Sequence, residues 1–220
     1  MTHPARSLRI GGLTPMTTVD YPGKLAAVVF CQGCPWRCRY CHNGHLLPMN
    51  SGDQVPWSDV RAFLKGRVGL LDAVVFSGGE PTLQAPLPTA MQEIKAMGFK
   101  IGLHTAGPYP DRLHRLLPLI DWVGLDIKAL PPDYPTITGV PNSGERAWQS
   151  LALLLDAGVA LQVRTTVLPG WSHQKDIRPL MDRLAALGVG NPILQPCRGD
   201  SIPDPALRMA ETPFPAAAPA

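Results

Sequence analysis

Short apolar runs recur along the chain, at residues 24–30, 72–76, 100–104, 122–127, 161–167 and 192–195. Each is rich in valine, isoleucine or leucine and has the length of a buried strand. Between them, apolar residues return every three or four positions over 58–64, 86–97, 109–117, 146–156 and 174–187, the spacing of one helix face. Ser58 stands where a helix cap would, and Gly158 and Gly188 follow the last two segments as C-terminal caps would. Strands alternating with helices predict parallel βα units. Six units are too few for the closed eight-unit barrel, so an open partial (β/α)6 barrel is expected.

The chain has 220 residues, 45% of them hydrophobic and only 17% charged, with 25 prolines and 21 glycines. That composition supports one packed domain with many punctuated loops, and argues against disorder or a coiled coil. The domain is expected over 1–200, with 201–220 a Pro/Ala-rich flexible extension lacking periodicity. The proline-rich stretch 130–144 reads as a long loop at the C-terminal side of the strands, where such folds keep their chemistry. A net charge of +3 is too weak to imply nucleic acid. No apolar run of membrane-spanning length occurs. Residues 1–12 lack the apolar core of a secretory signal, so the expected location is the cytoplasm.

Cysteine usage changes the picture. Of five cysteines, Cys31, Cys34, Cys38 and Cys41 crowd together, and Cys197 stands far away. An odd count argues against a disulfide scaffold, and a cluster in a reducing compartment points to metal or redox chemistry. Structural zinc sites usually separate two Cys-x2-Cys knuckles by roughly 12–20 residues. Only three residues separate Cys34 from Cys38, which disfavours zinc. An iron–sulfur cluster accepts compact loops. If only Cys34, Cys38 and Cys41 bind, one iron lacks a protein ligand and is open to a substrate.

Other strand ends carry polar groups. Ser77-Gly78-Gly79-Glu80-Pro81 follows the second apolar run. Its glycines allow close backbone approach and its carboxylate suits an ammonium group, although a tight turn with a surface glutamate would look the same. Asp126 and Lys128 flank Ile127 and project to one side of a strand, as a ligand pair or as a strand-end ion pair. Arg164 is either a solvated strand-end charge or a group at the barrel mouth.

Together these motifs resemble the radical S-adenosylmethionine (SAM) superfamily. Cys34, Cys38, Tyr40 and Cys41 form its Cys-x3-Cys-x-aromatic-Cys pattern, Gly78-Gly79-Glu80 its GGE motif, and Asp126-Ile127-Lys128 the D-x-K of its glycyl-radical activating branch. The segment Val167-Leu168-Pro169-Gly170 is similar to a VxPG turn of that branch. Residues 11–23, 22–30, 32–34 and 40–43 closely resemble the anaerobic ribonucleoside-triphosphate reductase activating proteins. The resemblance implies one [4Fe-4S] cluster on Cys34, Cys38 and Cys41. It implies SAM contacts at Tyr40, Cys41, His42, Gly78, Gly79, Glu80, Asp126, Ile127, Lys128 and Arg164. SAM would chelate the open iron through its amino and carboxylate groups and be cleaved reductively to a 5′-deoxyadenosyl radical. That radical would take hydrogen from the Cα of a glycine in a partner glycyl radical enzyme, here anaerobic ribonucleotide reductase. A flavodoxin or ferredoxin would supply the electron, with Arg37, Arg39 and Lys128 as charges that could attract it. No side-chain acid or base is required, so no catalytic residue is expected beyond the cluster ligands.

Two other readings fit parts of the pattern: a radical SAM enzyme on a small molecule, such as 7-carboxy-7-deazaguanine synthase, and a non-catalytic iron–sulfur electron-transfer protein. Five cysteines leave no room for the eight of the inserted ferredoxin-like domain found in larger activating enzymes. Three departures stand out. Cys31 is an extra thiol beside the cluster. His104 and Ala106 replace an aspartate and an asparagine, which puts a monovalent cation site in doubt. Cys197 replaces a histidine near the adenine.

Overall fold

The computed structural model describes residues 7–50, 52–167, 177–197, 202 and 204. The VxPG turn after Val167, the start of the predicted helix over 174–187 and nearly all of the extension over 201–220 lie outside the described residues.

Among the described residues seven strands form one sheet in chain order: β1 (Ile10–Thr17), β2 (Ala26–Cys31), β3 (Ala73–Gly78), β4 (Lys100–Thr105), β5 (Trp122–Asp126), β6 (Ala160–Val167) and β7 (Ile193–Pro196). From β2 to β7 every pairing is parallel, which gives the six strands of the expected open partial barrel. β1 is an addition the apolar pattern did not reveal. It runs antiparallel to β2 with two register irregularities, and it carries Gly11, Gly12 and Pro15. Edge strands tolerate such residues because one side needs no ladder partner, and this hides them from an apolar-run search.

The crossovers are α1 (Trp57–Lys65), α2 (Leu87–Ala96), α3 (Pro110–Leu116), the pair α4 (Tyr134–Thr138) and α5 (Ser143–Ala157), and α6 (Arg178–Ala186). α1 is capped by Pro56 without a side-chain hydrogen bond, so Ser58 is not the cap. The stretch 130–144 is not a bare loop: it forms a 3-10 turn, α4 and the start of α5. The expectation failed there because prolines at first-turn positions start helices as readily as they interrupt them.

Strand side chains alternate between two cores. Ala27, Val29 and Cys31 of β2, Val74 and Phe76 of β3, and Val123 and Leu125 of β5 with Ile127 just beyond it join the large layer beneath the helices. Ala26, Val28, Ala73, Val75 and Trp122 form a small inner cluster with Tyr21, which rises from the β1–β2 hairpin loop. Tyr21 and Trp122 rings lie 5.1 Å apart. The hairpin loop thus plugs the N-terminal end of the barrel, and the inward positions nearer the strand C-termini are left to line a cavity.

Candidate functional site

A cavity of about 450 Å³ opens at the C-terminal ends of the parallel strands. Cys34, Cys38, Tyr40, Cys41 and His42 reach it from the loop after β2, and Gly78, Gly79 and Glu80 from the end of β3. Asp126, Lys128 and Arg164 reach it from β5 and β6. Ile127 does not line the cavity. It is fully buried in the helix-facing core, because strand alternation sends it opposite to Asp126 and Lys128. For the same reason Cys31 faces the helices and is absent from the cavity wall.

The cysteine loop is held from several directions. Gln32, itself buried, donates to the carbonyls of His45 and Pro48 at 3.2 and 2.8 Å. Gln84 donates to the carbonyls of Arg9 and Gln32. The α4 segment clamps the other flank: the amides of Arg37 and Arg39 donate to Thr138 and Ile137, and Trp36 meets Tyr134 edge-on at 6.0 Å. The Tyr134 hydroxyl accepts from the Lys128 amide at 2.9 Å. Gln32, Gln84 and Tyr134 were not legible as site residues, since each acts through a segment distant in the chain.

Gly79 lies where a Cβ would collide with the Gly33 backbone, so the GGE turn packs directly against the cysteine loop. The Gly79 and Glu80 amides donate to the carbonyls of Cys31 and Gly33, both at 2.9 Å. Glu80 is buried, and its carboxylate accepts from the Thr82 amide, the Thr82 and Thr105 hydroxyls and the Ala106 amide, at 2.6 to 3.1 Å. Burial raises its pKa against the pull of these bonds. Four donors make Glu80 a brace between the β3 and β4 ends.

On the opposite wall Asp126 accepts from Arg164 at 3.1 Å and lies 3.6 Å from the Lys128 ammonium. Burial works against the Asp126 carboxylate, but Arg164 and Lys128 outweigh it and hold its pKa below the usual range. Burial likewise works against the Lys128 ammonium, and Tyr40 and Asp126 outweigh it. Two cations against one carboxylate leave this wall net positive, which suits a bound carboxylate. His104 stands between the walls. Its Nε2 donates to the Asp20 carbonyl at 2.9 Å, which leaves Nδ1 to accept from Ser77 at 3.3 Å. Burial and then the Arg164 guanidinium push its pKa down to about 4, so the imidazole is neutral. Asp20, Phe30, Trp36, Asn43 and Ser77 also line the cavity. Cys197 does not line it; its thiol lies 3.7 Å from His42 Nε2.

Residues 28–184 match the family described as the radical SAM superfamily. A Methanocaldococcus jannaschii protein named as a glycyl-radical enzyme activating enzyme is 32% identical over 78% of this chain and 73% of its own. The chain belongs to the radical SAM superfamily. Its similarity to the activating enzymes continues with pyruvate formate-lyase 1-activating enzyme of Escherichia coli K12, 32% identical over 76% of this chain and 71% of that one. Among solved structures, Streptococcus suis SuiB bound to S-adenosylmethionine superposes with a TM-score of 0.63 at 14% identity. It covers 83% of this radical SAM chain, which in turn spans 42% of SuiB. QueE from Escherichia coli gives 0.54 at 21% identity, covering 86% and 84%. Both likenesses show the fold.

This radical SAM protein is therefore an enzyme that uses a [4Fe-4S] cluster and SAM. The residues fit the cluster. Cys34, Cys38 and Cys41 line one cavity, and the Cys34 thiol is within electrostatic reach of the other two. Yet among the described residues no three His, Cys, Asp or Glu side chains converge as they would around a single ion. Three thiolates carried on one compact loop can each reach a separate iron of a cube. Burial raises all three thiol pKa values, that of Cys34 to about 12, so binding iron must displace protons.

Proposed function

We propose that this enzyme activates a glycyl radical enzyme, with Cys34, Cys38 and Cys41 as cluster ligands. In this reading SAM is held by Tyr40, Cys41, His42, Gly78, Gly79, Glu80, Asp126, Lys128 and Arg164. The observation that carries the reading is the convergence of the cysteine loop, the GGE turn and the Asp126–Arg164–Lys128 wall on one cavity. When bound, the cluster and SAM supply one-electron cleavage chemistry that removes a hydrogen atom from a glycine Cα. The chain's own residues bind, orient and exclude water. Gly78 and Gly79 let backbone approach the ligand, the net positive wall takes its carboxylate, and Phe30 and Trp36 supply apolar surface. Glu80 keeps the turn in place, and His104 is a neutral hydrogen-bonding spacer.

The partner we propose is anaerobic ribonucleoside-triphosphate reductase, on the strength of the segments 11–30, 32–34 and 40–43. A flavodoxin or ferredoxin delivers the electron, and the setting is the cytoplasm. Among the described residues no helix is long and apolar enough to cross a membrane.

The test is anaerobic reconstitution with iron and sulfide, then dithionite, SAM and the reductase. The expected result is 5′-deoxyadenosine together with a glycyl radical signal on the reductase, both lost in Cys34→Ala. Deoxyadenosine in the presence of every available glycyl radical enzyme, with no protein radical, would favour a small-molecule substrate. An intact cluster with no SAM cleavage would leave an electron-transfer protein.

A further inference from the structure

A second concavity, of about 420 Å³, lies beside the cavity and, among the described residues, shares only Pro108 with it. Its walls come from α3, the residues just before it and the N-terminal half of α5, and include Tyr109, Arg112, Arg115 and Arg146. Three guanidinium groups face it against one carboxylate, Asp111. Among the described residues none of the three arginines is within ion-pair distance of a carboxylate. Arg112 stacks on Tyr109 at 4.5 Å and donates to the carbonyls of Thr82 and Leu83, just past the GGE turn. Arg115 and Arg146 are exposed and, among the described residues, their side chains make no hydrogen bond or ion pair, so they are available to a partner.

The position matters as much as the charge. The Tyr109 ring is a wall of this pocket, and its hydroxyl is within electrostatic reach of Cys34, Glu80, Arg112 and Arg146. Leu83, whose carbonyl Arg112 binds, packs beside Gly33, the chain neighbour of Cys34, so the pocket borders the cysteine loop from outside the cavity. A substrate glycine must come within contact distance of the reacting group. An electron crosses an intervening protein wall. A surface next to a cluster ligand but outside the cavity suits the second need.

The three basic residues that the sequence suggested for this role are engaged elsewhere. Lys128 is buried against Asp126. Arg39 donates to Asp204 at 2.6 Å. Arg37 donates to the carbonyls of Cys34 and Trp36 at 2.7 and 2.9 Å.

Resting on the function proposed above, we infer that the Arg112–Arg115–Arg146 pocket docks an acidic one-electron carrier protein. The carrier loses one electron, the cluster gains it, and no proton or bond changes hands. Arg112 positions the turn and is left intact in the test.

The test compares wild-type holoenzyme with Arg115→Glu/Arg146→Glu and with Arg115→Lys/Arg146→Lys, using flavodoxin as the probe. Two quantities are read: the dissociation constant for oxidised flavodoxin by calorimetry, and the second-order rate of cluster reduction by flavodoxin hydroquinone. At low salt, charge reversal is expected to weaken both about tenfold or more, and the lysine variant to restore most of the loss. The difference should shrink as salt is raised. Reduction by dithionite, and the deoxyadenosine it yields, should match wild type. Equal flavodoxin affinity in the reversed variant overturns the inference. So does a loss confined to affinity for the glycyl radical enzyme, or a loss produced by Arg37→Glu instead. Failure of the wild type to cleave SAM with dithionite would sink the function itself and is read separately.

Discussion

Two cysteines three residues apart have opposite surroundings. Cys34 lines the cavity, whereas Cys31 is fully buried beneath the helices. Burial, with the nearby Glu80 carboxylate, raises the Cys31 pKa and keeps it a thiol, the inert form. Cys31→Ala should keep the reconstituted iron content and the visible spectrum of the cluster, at a stability cost of about 1 kcal/mol for the small void. Cys34→Ala should lose the cluster. Iron and sulfide analysis distinguishes the two, and loss of iron in the Cys31 variant would return it to the list of ligands.

His104 gives stability a pH dependence. Its folded pKa, pushed by burial and Arg164 down to about 4, lies below the ordinary value of 6.5. Between those values the unfolded chain binds more protons than the folded one, so stability rises with pH across that window. Above it the contribution is complete, and on acidification it is lost, by no more than about 3 kcal/mol. Urea unfolding of the apoprotein from pH 7 to pH 4 should show this slope, and His104→Asn should flatten it. An equal slope in the variant would place the effect in other groups.

At the scale of elements, the site depends on how turns meet. The GGE turn has no side chain at position 79 because the Gly33 backbone lies against it. Gly79→Ala must push the two turns apart, which is expected to cost about 1–3 kcal/mol. The larger effect should be on ligand binding, since Cys34 and Glu80 flank the contact. SAM affinity of the reconstituted enzyme should fall at least tenfold, measured by calorimetry. Unchanged affinity would mean that the turns do not jointly hold the ligand. α4 works in the same way: it holds the cysteine loop through backbone bonds and supports Lys128 through the Tyr134 hydroxyl.

Across the whole molecule, the sheet has two cores of unequal size. The inner one is small, and Trp122 is its largest member, packed between Tyr21 and His104, whose rings lie 5.1 and 5.5 Å away. It joins the β1–β2 hairpin to the middle of the barrel. Trp122→Ala should cost about 3–5 kcal/mol, and a cooperative loss in thermal unfolding is the expected readout. A loss below 1 kcal/mol would mean that the hairpin loop does not brace the barrel. The same loop supplies the Asp20 carbonyl to His104, so the plug at one end of the barrel reaches the floor of the cavity.

Several features were determined by the sequence alone. Alternating apolar runs and helical periods specify parallel βα units, because their periods differ. The spacing of Cys34, Cys38 and Cys41 disfavours an ordinary zinc knuckle pair, and the GGE and D-x-K segments each follow an apolar run, which places them at strand ends, those of β3 and β5. Tertiary structure decided the rest. Buried strands are apolar on both faces, so their pattern does not say which face turns inward. That choice, made when the sheet curves, sends Ile127 and Cys31 to the helices and Asp126, Lys128 and Arg164 to the cavity. Contacts such as Gln32 with Pro48 and Arg37 with Thr138, and the pocket that the arginines of α3 and α5 line together, join segments with no local signal. They exist only once the strands are aligned and the loops at their ends are brought to one rim.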